Sequence, residues 1–197
     1  MSSITRIGVL LAAGRGGRMG GTKQLMPWPS VDGAKPLICA AYGVIRPICD
    51  EMVVVLGHEA DAVAAALGAC PFHRAASDPD QPMFHSIRTG LIAAQQLDPN
   101  AWIVLHPADH PEVAPATLNA LTNWSLKRSV QAVIPEYKSR GGHPVLIPPN
   151  IARLILESDC RAGLGQFWQD HPDLCSRIAV DDPSILRDID IPADLAQ

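Results

Sequence analysis

A glycine-rich stretch with three cations, residues 14–23, follows directly after the apolar run "IGVLLAA". Five glycines are interspersed there with Arg15, Arg18 and Lys23. A glycine turn exposes backbone N–H groups that can converge on an anion, and nearby cations neutralise the charge of that anion. The stretch therefore predicts a binding site for phosphate groups.

Two standard nucleotide motifs do not fit this stretch. A dinucleotide fingerprint, G-x-G-x-x-G, would need its third glycine where Met19 stands. A P-loop would end in lysine followed by Ser or Thr, whereas here Thr22 precedes Lys23. A plain flexible loop would seldom gather so many cations directly after a buried strand. We therefore interpret the stretch as a loop that wraps a triphosphate, with Arg18 and Lys23 neutralising charge at phosphorus.

Aspartates in two distant parts of the chain could hold a metal ion. Asp109 ends the apolar strand pattern of residues 101–109, and open α/β sheets bind ligands at the carboxyl ends of their strands. Asp188 and Asp190 lie on one face of a short strand predicted within residues 185–195. Carboxylate oxygens are ligands that Mg²⁺ prefers. Spacing alone does not choose between Asp188 and Asp190. A helix N-cap or turn for the first site, and a surface turn for the second, remain open alternatives.

Three histidines could serve as metal ligands or substrate contacts. His106 and His110 are four residues apart, a spacing that pairs metal ligands on a helix, but Pro107 and Pro111 make a helix implausible there. These two histidines are therefore predicted to be packing or turn residues. His143 follows two glycines, and it could begin a strand with its ring bonded to backbone.

Short apolar runs alternate with amphipathic segments along most of the chain. This alternation predicts an α/β fold, a mostly parallel sheet with helices on both faces. The predicted strands are residues 6–13, 51–57, 101–109, 131–137 and 142–148. Helices are predicted between the first three of these strands, after the third, and within residues 150–171. With 197 residues and no linker or repeat, we expect a single domain over residues 1–197.

Composition narrows the class of protein. The net charge of -4 argues against nucleic acid or an anionic membrane as a partner, and no apolar stretch is long enough to span a bilayer. Five cysteines, odd in number and without a CxxC pair, suggest neither a disulfide framework nor a zinc site. Together with an amino-terminal stretch that lacks a signal-peptide pattern, they predict a cytoplasmic protein. Its partners are expected to be small molecules.

The stretch "LAAGRGGRMGGTKQL" resembles the LAAGxGxRMGxxKxL pattern of sugar-phosphate and cofactor nucleotidyltransferases. The segments "VVVLGHEADAV", "MFHSIRTGL", "HPADHPEV", "RGGHPVLIP" and "DIDIPADL" are similar, in this order, to segments of the molybdenum cofactor cytidylyltransferases of the MobA-like family. The matches extend over residues 9–195. The G-G-H-P-V segment distinguishes this branch from the isoprenoid-pathway cytidylyltransferases, which share the glycine loop.

The resemblance implies a Rossmann-like fold of the nucleotide-diphospho-sugar transferase type. It also implies a Mg²⁺-dependent transfer of CMP from CTP to the molybdopterin cofactor, with a molybdoenzyme as a candidate recipient of the product. The catalytic residues would be Arg18, Lys23 and Asp109, and the metal ligands Asp109 and Asp190. The nucleotide would be bound by Leu11, Ala12, Ala13, Gly14, Gly16, Gly17, Arg18, Lys23, Ser86 and Gly90. Gly142 and His143 would contact the acceptor, and Arg88 would lie with Ser86 near the base and ribose.

Two features of the sequence bear on the substrates. Guanylyltransferase relatives usually carry glycine where Ala13 stands, and a methyl group there would crowd a purine, which favours CTP. The segment of residues 26–38 is longer and richer in proline than the corresponding connection in the family, which leaves the acceptor open. A sugar or polyol phosphate as acceptor, or a nucleotide-binding cofactor chaperone without turnover, are the alternative functions.

Overall fold

The computed structural model describes residues 4–16, 21–30, 33–126, 130–159, 163–190 and 194. Within these residues the chain forms strands and α-helices that alternate along much of the sequence. The strands are β1 Arg6–Ala12, β2 Pro27–Trp28, β3 Lys35–Pro36, β4 Glu51–Leu56, β5 His73–Ala76, β6 Trp102–Pro107, β7 Ala132–Tyr137, β8 Arg140–Gly141, β9 Val145–Ile147 and β10 Cys175–Ala179. The α-helices are α1 Leu37–Ile45, α2 Ala60–Ala66, α3 Met83–Leu97, α4 Pro115–Leu126, α5 Pro149–Glu157 and α6 Leu164–Asp170. Short 3₁₀ turns cover Lys23–Leu25, Arg46–Ile48, Pro172–Leu174 and Pro183–Leu186.

One sheet organises the domain, with strands in the order β10-β7-β9-β6-β1-β4-β5 and β8 paired with β7. β1 is parallel to β4 and β6, β4 is parallel to β5, and β7 is parallel to β10. β9 is antiparallel to both of its neighbours, so the sheet is mixed. A separate antiparallel ribbon joins β2 to β3 and contains part of the proline-rich segment. The α/β single-domain prediction is confirmed.

Helices cover both faces of the sheet because side chains alternate along its strands. On β1, Ile7 and Val9 face the cluster formed with α3, α5 and α6, whereas Leu10 and Ala12 face the cluster formed with α1, α2 and α4. All four side chains are at most 1% exposed. β1 is therefore buried on both sides, as its continuous apolar sequence predicts for a central parallel strand.

Two edge strands, β5 and β10, were not predicted from the sequence. Each pairs with the main path of the sheet on one side only, and each carries exposed polar residues in place of an apolar run. The strand predicted within residues 185–195 does not occur in the described part of that range, because Pro183–Leu186 forms a 3₁₀ turn and residues 187–190 form no strand. Asp188 and Asp190 are therefore not held by a sheet.

The described part of the chain has neither a membrane-spanning helix nor a disulfide bond. No helix there is both long and apolar enough to cross a bilayer. Cys39, Cys49, Cys70 and Cys175 are free thiols. Cys160 lies outside the described residues.

The segment after β10 is attached to the domain through Asp182, which is 5% exposed. Its carboxylate accepts hydrogen bonds from the Ala114 N–H, 2.8 Å, and the Thr117 hydroxyl, 2.7 Å, at the start of α4. Burial alone would raise the pKa of Asp182, but hydrogen bonds from Ser184, Thr117 and the Ala114 backbone outweigh it, so the pKa is lowered. The carboxylate thus fixes where residues 183–190 leave the sheet.

Replacing Asp182 with alanine is expected to lower the free energy of unfolding by about 2 kcal/mol, because a buried ionised acceptor and its hydrogen bonds are lost. The low pKa gives the sign of the pH effect. The contribution is present above the ordinary carboxyl range and disappears as the pH falls through the lowered pKa of the folded state. Urea unfolding at pH 7 and at pH 3 measures both. Asp181→Ala, an exposed neighbour, is the matched control and should change little at either pH.

Candidate active site

The loop after β1 begins the site. Gln24 is 5% exposed and its Nε2 donates to the carbonyls of Ala12, 3.0 Å, and Gly14, 2.9 Å. These two bonds hold the start of the loop in place. Gly16 has φ +61°, and a Cβ at that position would lie 2.6 Å from the Lys23 Cβ. Glycine is required at residue 16 by both its conformation and this close approach.

Lys23 stands at the centre of the site. Its Nζ donates to Asp109 Oδ2, 2.9 Å, and to Asp190 Oδ1, 2.7 Å. The lysine side chain is 10% exposed, and the two carboxylates are 26% and 45% exposed. Burial of the ammonium opposes its charge, but Asp109 and Asp190 outweigh that effect and raise the pKa of Lys23. The ammonium is thus shared between two carboxylates.

Separate elements bring the two aspartates together. Asp109 follows β6 at the carboxyl end of that strand, and the preceding Ala108 N–H donates to the carbonyl of Leu11, near the end of β1, at 2.9 Å. Asp190 belongs to the segment after β10, and the Ile189 N–H donates to the Asp109 carbonyl at 3.0 Å. Ile189 also packs with Trp28 of β2, so the proline-rich ribbon supports this segment.

A cleft of about 270 Å³ opens above Lys23, Asp109 and Asp190. The predicted nucleotide residues that line it are Leu11, Ala13, Gly14, Gly16, Lys23 and Ser86. Ser86 begins the opposite wall, where its hydroxyl lies 2.9 Å from that of Ser77. Gly17 and Arg18 lie outside the described residues, so their predicted contacts with the triphosphate stay predictions.

Three sequence-based assignments near this cleft differ from the placement in the structure. Ala12 does not line the cleft, and its side chain packs on the opposite face of the sheet. Gly90 faces Val9 and Val55, where it lets α3 pack closely against the sheet. Arg88 does not line the cleft, and its guanidinium instead donates to the Leu156 carbonyl, 2.6 Å, at the end of α5. The sequence indicated that Arg88 lies on a helix, but it did not show that Arg88 contacts the end of α5.

Arg15 bridges the two sides of the cleft. Its guanidinium makes two hydrogen bonds with Asp80, at 2.8 and 2.7 Å, which link the glycine loop to the segment before α3. Both side chains are about half exposed or more, so the pair adds little to stability. No signal in the sequence connected Asp80 with the loop.

A second cavity of about 490 Å³ adjoins the first and shares Leu11, Met83 and Pro107 with it. The predicted acceptor residues Gly142 and His143 both line it. A side chain at residue 142 would collide with the Ile185 carbonyl, so glycine is required there by packing. Phe84, Trp168 and Arg177, which the sequence did not single out, complete an apolar wall with one cation.

The three histidines lie beside these cavities. His106 is fully buried and its Nε2 donates to the His110 carbonyl at 2.8 Å. The His110 ring makes edge contacts with both neighbours, its centroid 6.0 Å from that of His106 and 5.1 Å from that of His143. Burial lowers the pKa of all three, to about 4 for His143, whose ring is bonded to the Leu105 backbone. They are neutral at pH 7, and the packing prediction for His106 and His110 agrees with their burial.

The residues at the base of the cleft fit a magnesium ion. Asp109 and Asp190 offer hard carboxylate oxygens that converge on one point, where the Lys23 ammonium now supplies the cation. Asp109 Oδ1 is buried without a hydrogen-bond partner. No group of three or more metal-ligating side chains occurs within the described residues. A metal bound here would therefore depend on ligand phosphates, as Mg²⁺ commonly does at nucleotide sites.

Comparison with known proteins agrees with this geometry. The family model described as the MobA-like NTP transferase domain matches residues 8–174. A molybdenum cofactor guanylyltransferase of Pseudomonas aeruginosa is 32% identical over 117 residues, which are 57% of this chain and 52% of that protein. The chain thus spans about half the length of that curated relative.

Solved structures extend the similarity to nearly the whole chain. Rv0371c of Mycobacterium tuberculosis H37Rv has a TM-score of 0.80 at 28% identity, over 98% of this chain and 96% of that one. A second structure of that protein, in complex with manganese, has a TM-score of 0.67 at 25% identity, over 89% and 88% of the two chains. Since the family model covers most of the sequence and the glycine loop, Lys23 and Asp109 meet at one cleft, the chain belongs to the MobA-like NTP transferase domain family.

Proposed function

We propose that the protein is a Mg²⁺-dependent nucleotidyltransferase that transfers CMP from CTP to the molybdopterin cofactor and releases pyrophosphate. The observation that carries this proposal is the Lys23 ammonium held between Asp109 and Asp190 at the floor of the glycine-loop cleft. The curated relative named above acts, by its name, on the same cofactor. We also propose that the protein works in the cytoplasm and that a molybdoenzyme receives its product.

The reaction needs alignment and neutralisation of charge more than it needs a covalent nucleophile. A phosphate oxygen of the acceptor forms a bond to the α-phosphorus of CTP, while the bond from that phosphorus to the bridging oxygen breaks and its electron pair leaves with pyrophosphate. Lys23 would turn from the aspartates to the phosphates and neutralise developing charge. The backbone N–H groups of Gly14, Gly16 and Gly17, with Arg18, would hold the triphosphate.

Magnesium would be held by Asp109 and Asp190, and when bound it would neutralise phosphate charge during transfer. The mycobacterial relative Rv0371c has a crystal structure in complex with manganese, which supports a divalent cation in this family.

The second cavity supports a large, partly planar acceptor. Its walls include Phe84 and Trp168, and aromatic faces of this kind stack on flat heterocycles. Gly142 and His143, which lie between β8 and β9, would also contact the acceptor. Since this cavity shares three residues with the nucleotide cleft, an acceptor bound there could present its phosphate to the α-phosphorus.

The choice of base rests on Ala13, which is 4% exposed and lines the cleft. Its methyl group would limit the space for a purine edge, which favours CTP. GTP is the second candidate, because the curated relative is named a guanylyltransferase. Ala13→Gly is expected to shift the ratio of kcat/KM for CTP over GTP about tenfold toward GTP, the usual scale for one methyl group in a pocket.

The test measures pyrophosphate release with Mg²⁺ from each of the four ribonucleoside triphosphates, with and without molybdopterin cofactor. The proposal expects release only with CTP and the cofactor together. Release with GTP in wild-type protein would overturn the base, and release with a sugar or polyol phosphate would overturn the acceptor. CTP binding without any release would support the chaperone alternative. Ala12→Gly, whose side chain lies on the other face of the sheet, should leave the CTP to GTP ratio unchanged.

A further inference from the structure

His110 lies directly beside the carboxylate of Asp109. Its Nε2 is 3.8 Å from Asp109 Oδ1, beyond hydrogen-bond distance, and this oxygen is buried without a hydrogen-bond partner. Leaving a buried carboxylate oxygen unpaired costs free energy, and an imidazole N–H is a suitable donor for it. The two groups thus form a donor and an acceptor that a small rotation would join.

The position of His110 is fixed by its surroundings. Its carbonyl accepts from His106 Nε2 at 2.8 Å, and its N–H donates to the Pro107 carbonyl at 3.3 Å. The residue as a whole is 7% exposed, and its ring contacts the ring of His143 on the wall of the second cavity. Because the imidazole is held from several sides, the adjustable partner is the carboxylate of Asp109.

Lys23 is what holds that carboxylate in its present orientation. The ammonium binds Oδ2 at 2.9 Å and also binds Asp190, so Asp109 cannot turn without breaking a charged hydrogen bond. A nucleoside triphosphate offers Lys23 stronger anionic partners. Once Lys23 binds phosphate, Oδ2 is released and the carboxylate is free to rotate.

We propose that His110 is a positioning residue for Asp109: in the nucleotide complex its Nε2–H donates to Oδ1, and this bond directs Oδ2 toward the metal ion. The inference rests on the metal site of the proposed function, but not on the identity of the acceptor. It gives His110 a role beyond packing, since outer partners that orient a metal ligand commonly change metal affinity or activity by 10- to 100-fold.

Two variants separate positioning from packing. His110→Leu keeps a similar volume and removes the donor, whereas His110→Gln places an amide N–H close to where Nε2 lies. His73→Gln on the exposed edge strand β5 is the matched control. The first measurement is Mn²⁺ binding by electron paramagnetic resonance, in the presence of a CTP analogue that cannot release pyrophosphate. Thermal unfolding, and kcat and KM for the nucleotide, are measured on the same samples.

His110→Leu is expected to weaken Mn²⁺ binding about tenfold and to lower kcat with little change in the nucleotide KM. His110→Gln should recover Mn²⁺ affinity to within about threefold of wild type, even if both variants melt at the same lowered temperature. Unchanged Mn²⁺ affinity in His110→Leu, or an equal loss in both variants, would overturn the inference. So would a wild-type protein that binds no Mn²⁺ with nucleotide. Failure of molybdopterin as acceptor would overturn the proposed function while leaving the Mn²⁺ result valid.

Discussion

Replacing Lys23 with methionine is expected to lower kcat/KM for pyrophosphate release about 10³-fold. The Lys23 ammonium is hydrogen-bonded to both Asp109 and Asp190, and the proposed transfer moves negative charge onto the leaving pyrophosphate. Methionine keeps much of the length of the side chain without the charge. Steady-state kinetics with CTP and the cofactor measure the loss, and nucleotide binding by calorimetry separates ground-state from transition-state effects.

The same variant is expected to have a second, opposite effect, on the affinity for a metal ion. Without the ammonium, both carboxylates are available to bind one cation together. Lys23→Met should therefore bind Mn²⁺ more tightly than wild type when nucleotide is absent. Its free energy of unfolding should fall by about 1 kcal/mol or less, since both aspartates are partly exposed. Lys35→Met, in the ribbon, is the matched control. Near-normal turnover in Lys23→Met would exclude the lysine from catalysis.

Replacing Asp109 with asparagine is expected to reduce Mg²⁺-dependent turnover about 10³-fold while leaving the melting temperature close to that of wild type. The amide matches the carboxylate in shape, so the strand end and the Ile189 bond to the Asp109 carbonyl persist. It lacks the charge that a divalent cation requires of its protein ligand. Pyrophosphate release across a Mg²⁺ titration, together with a thermal melt, measures both expectations.

Asp188→Asn provides the control for that experiment. Asp188 belongs to the same short segment as Asp190, but only Asp190 is hydrogen-bonded to Lys23 in the described contacts. Activity should therefore fall strongly in Asp109→Asn and Asp190→Asn. It should stay within about threefold of wild type in Asp188→Asn, because Asp188 is exposed and salt screens its charge. Full activity in Asp109→Asn would rule out its proposed role as a metal ligand. An equal loss of activity in Asp188→Asn and Asp190→Asn would contradict the choice of Asp190 over Asp188 as the second metal ligand.

The sequence predicted the parts of the site that depend on local pattern. Glycines with Lys23 indicated a phosphate loop, and an apolar run ending in Asp109 indicated a strand whose carboxyl end faces a ligand. Parallel pairing of β1 and β6 then places the two ends side by side. Only the resemblance favoured Asp190 over Asp188, because no spacing rule relates residues so far apart along the chain.

The parts that sequence reasoning missed depend on tertiary partners. β5 and β10 are edge strands, so their sequences lack the apolar pattern by which buried strands are recognised. His110 looked like a turn residue between prolines, and its nearness to Asp109 Oδ1 appears only in three dimensions. The glycine at residue 90 matched a nucleotide motif, but a close approach of α3 to the sheet is what requires it.

The attachment of Asp190 has a consequence for how the protein is made and damaged. The sheet is complete at β10, which ends at Ala179, whereas the second carboxylate arrives only with the segment that follows. During synthesis Lys23 and Asp109 leave the ribosome before Asp190 does. A chain clipped after β10 would keep every strand of the sheet but would lose Asp190, one of the two carboxylates bound to Lys23.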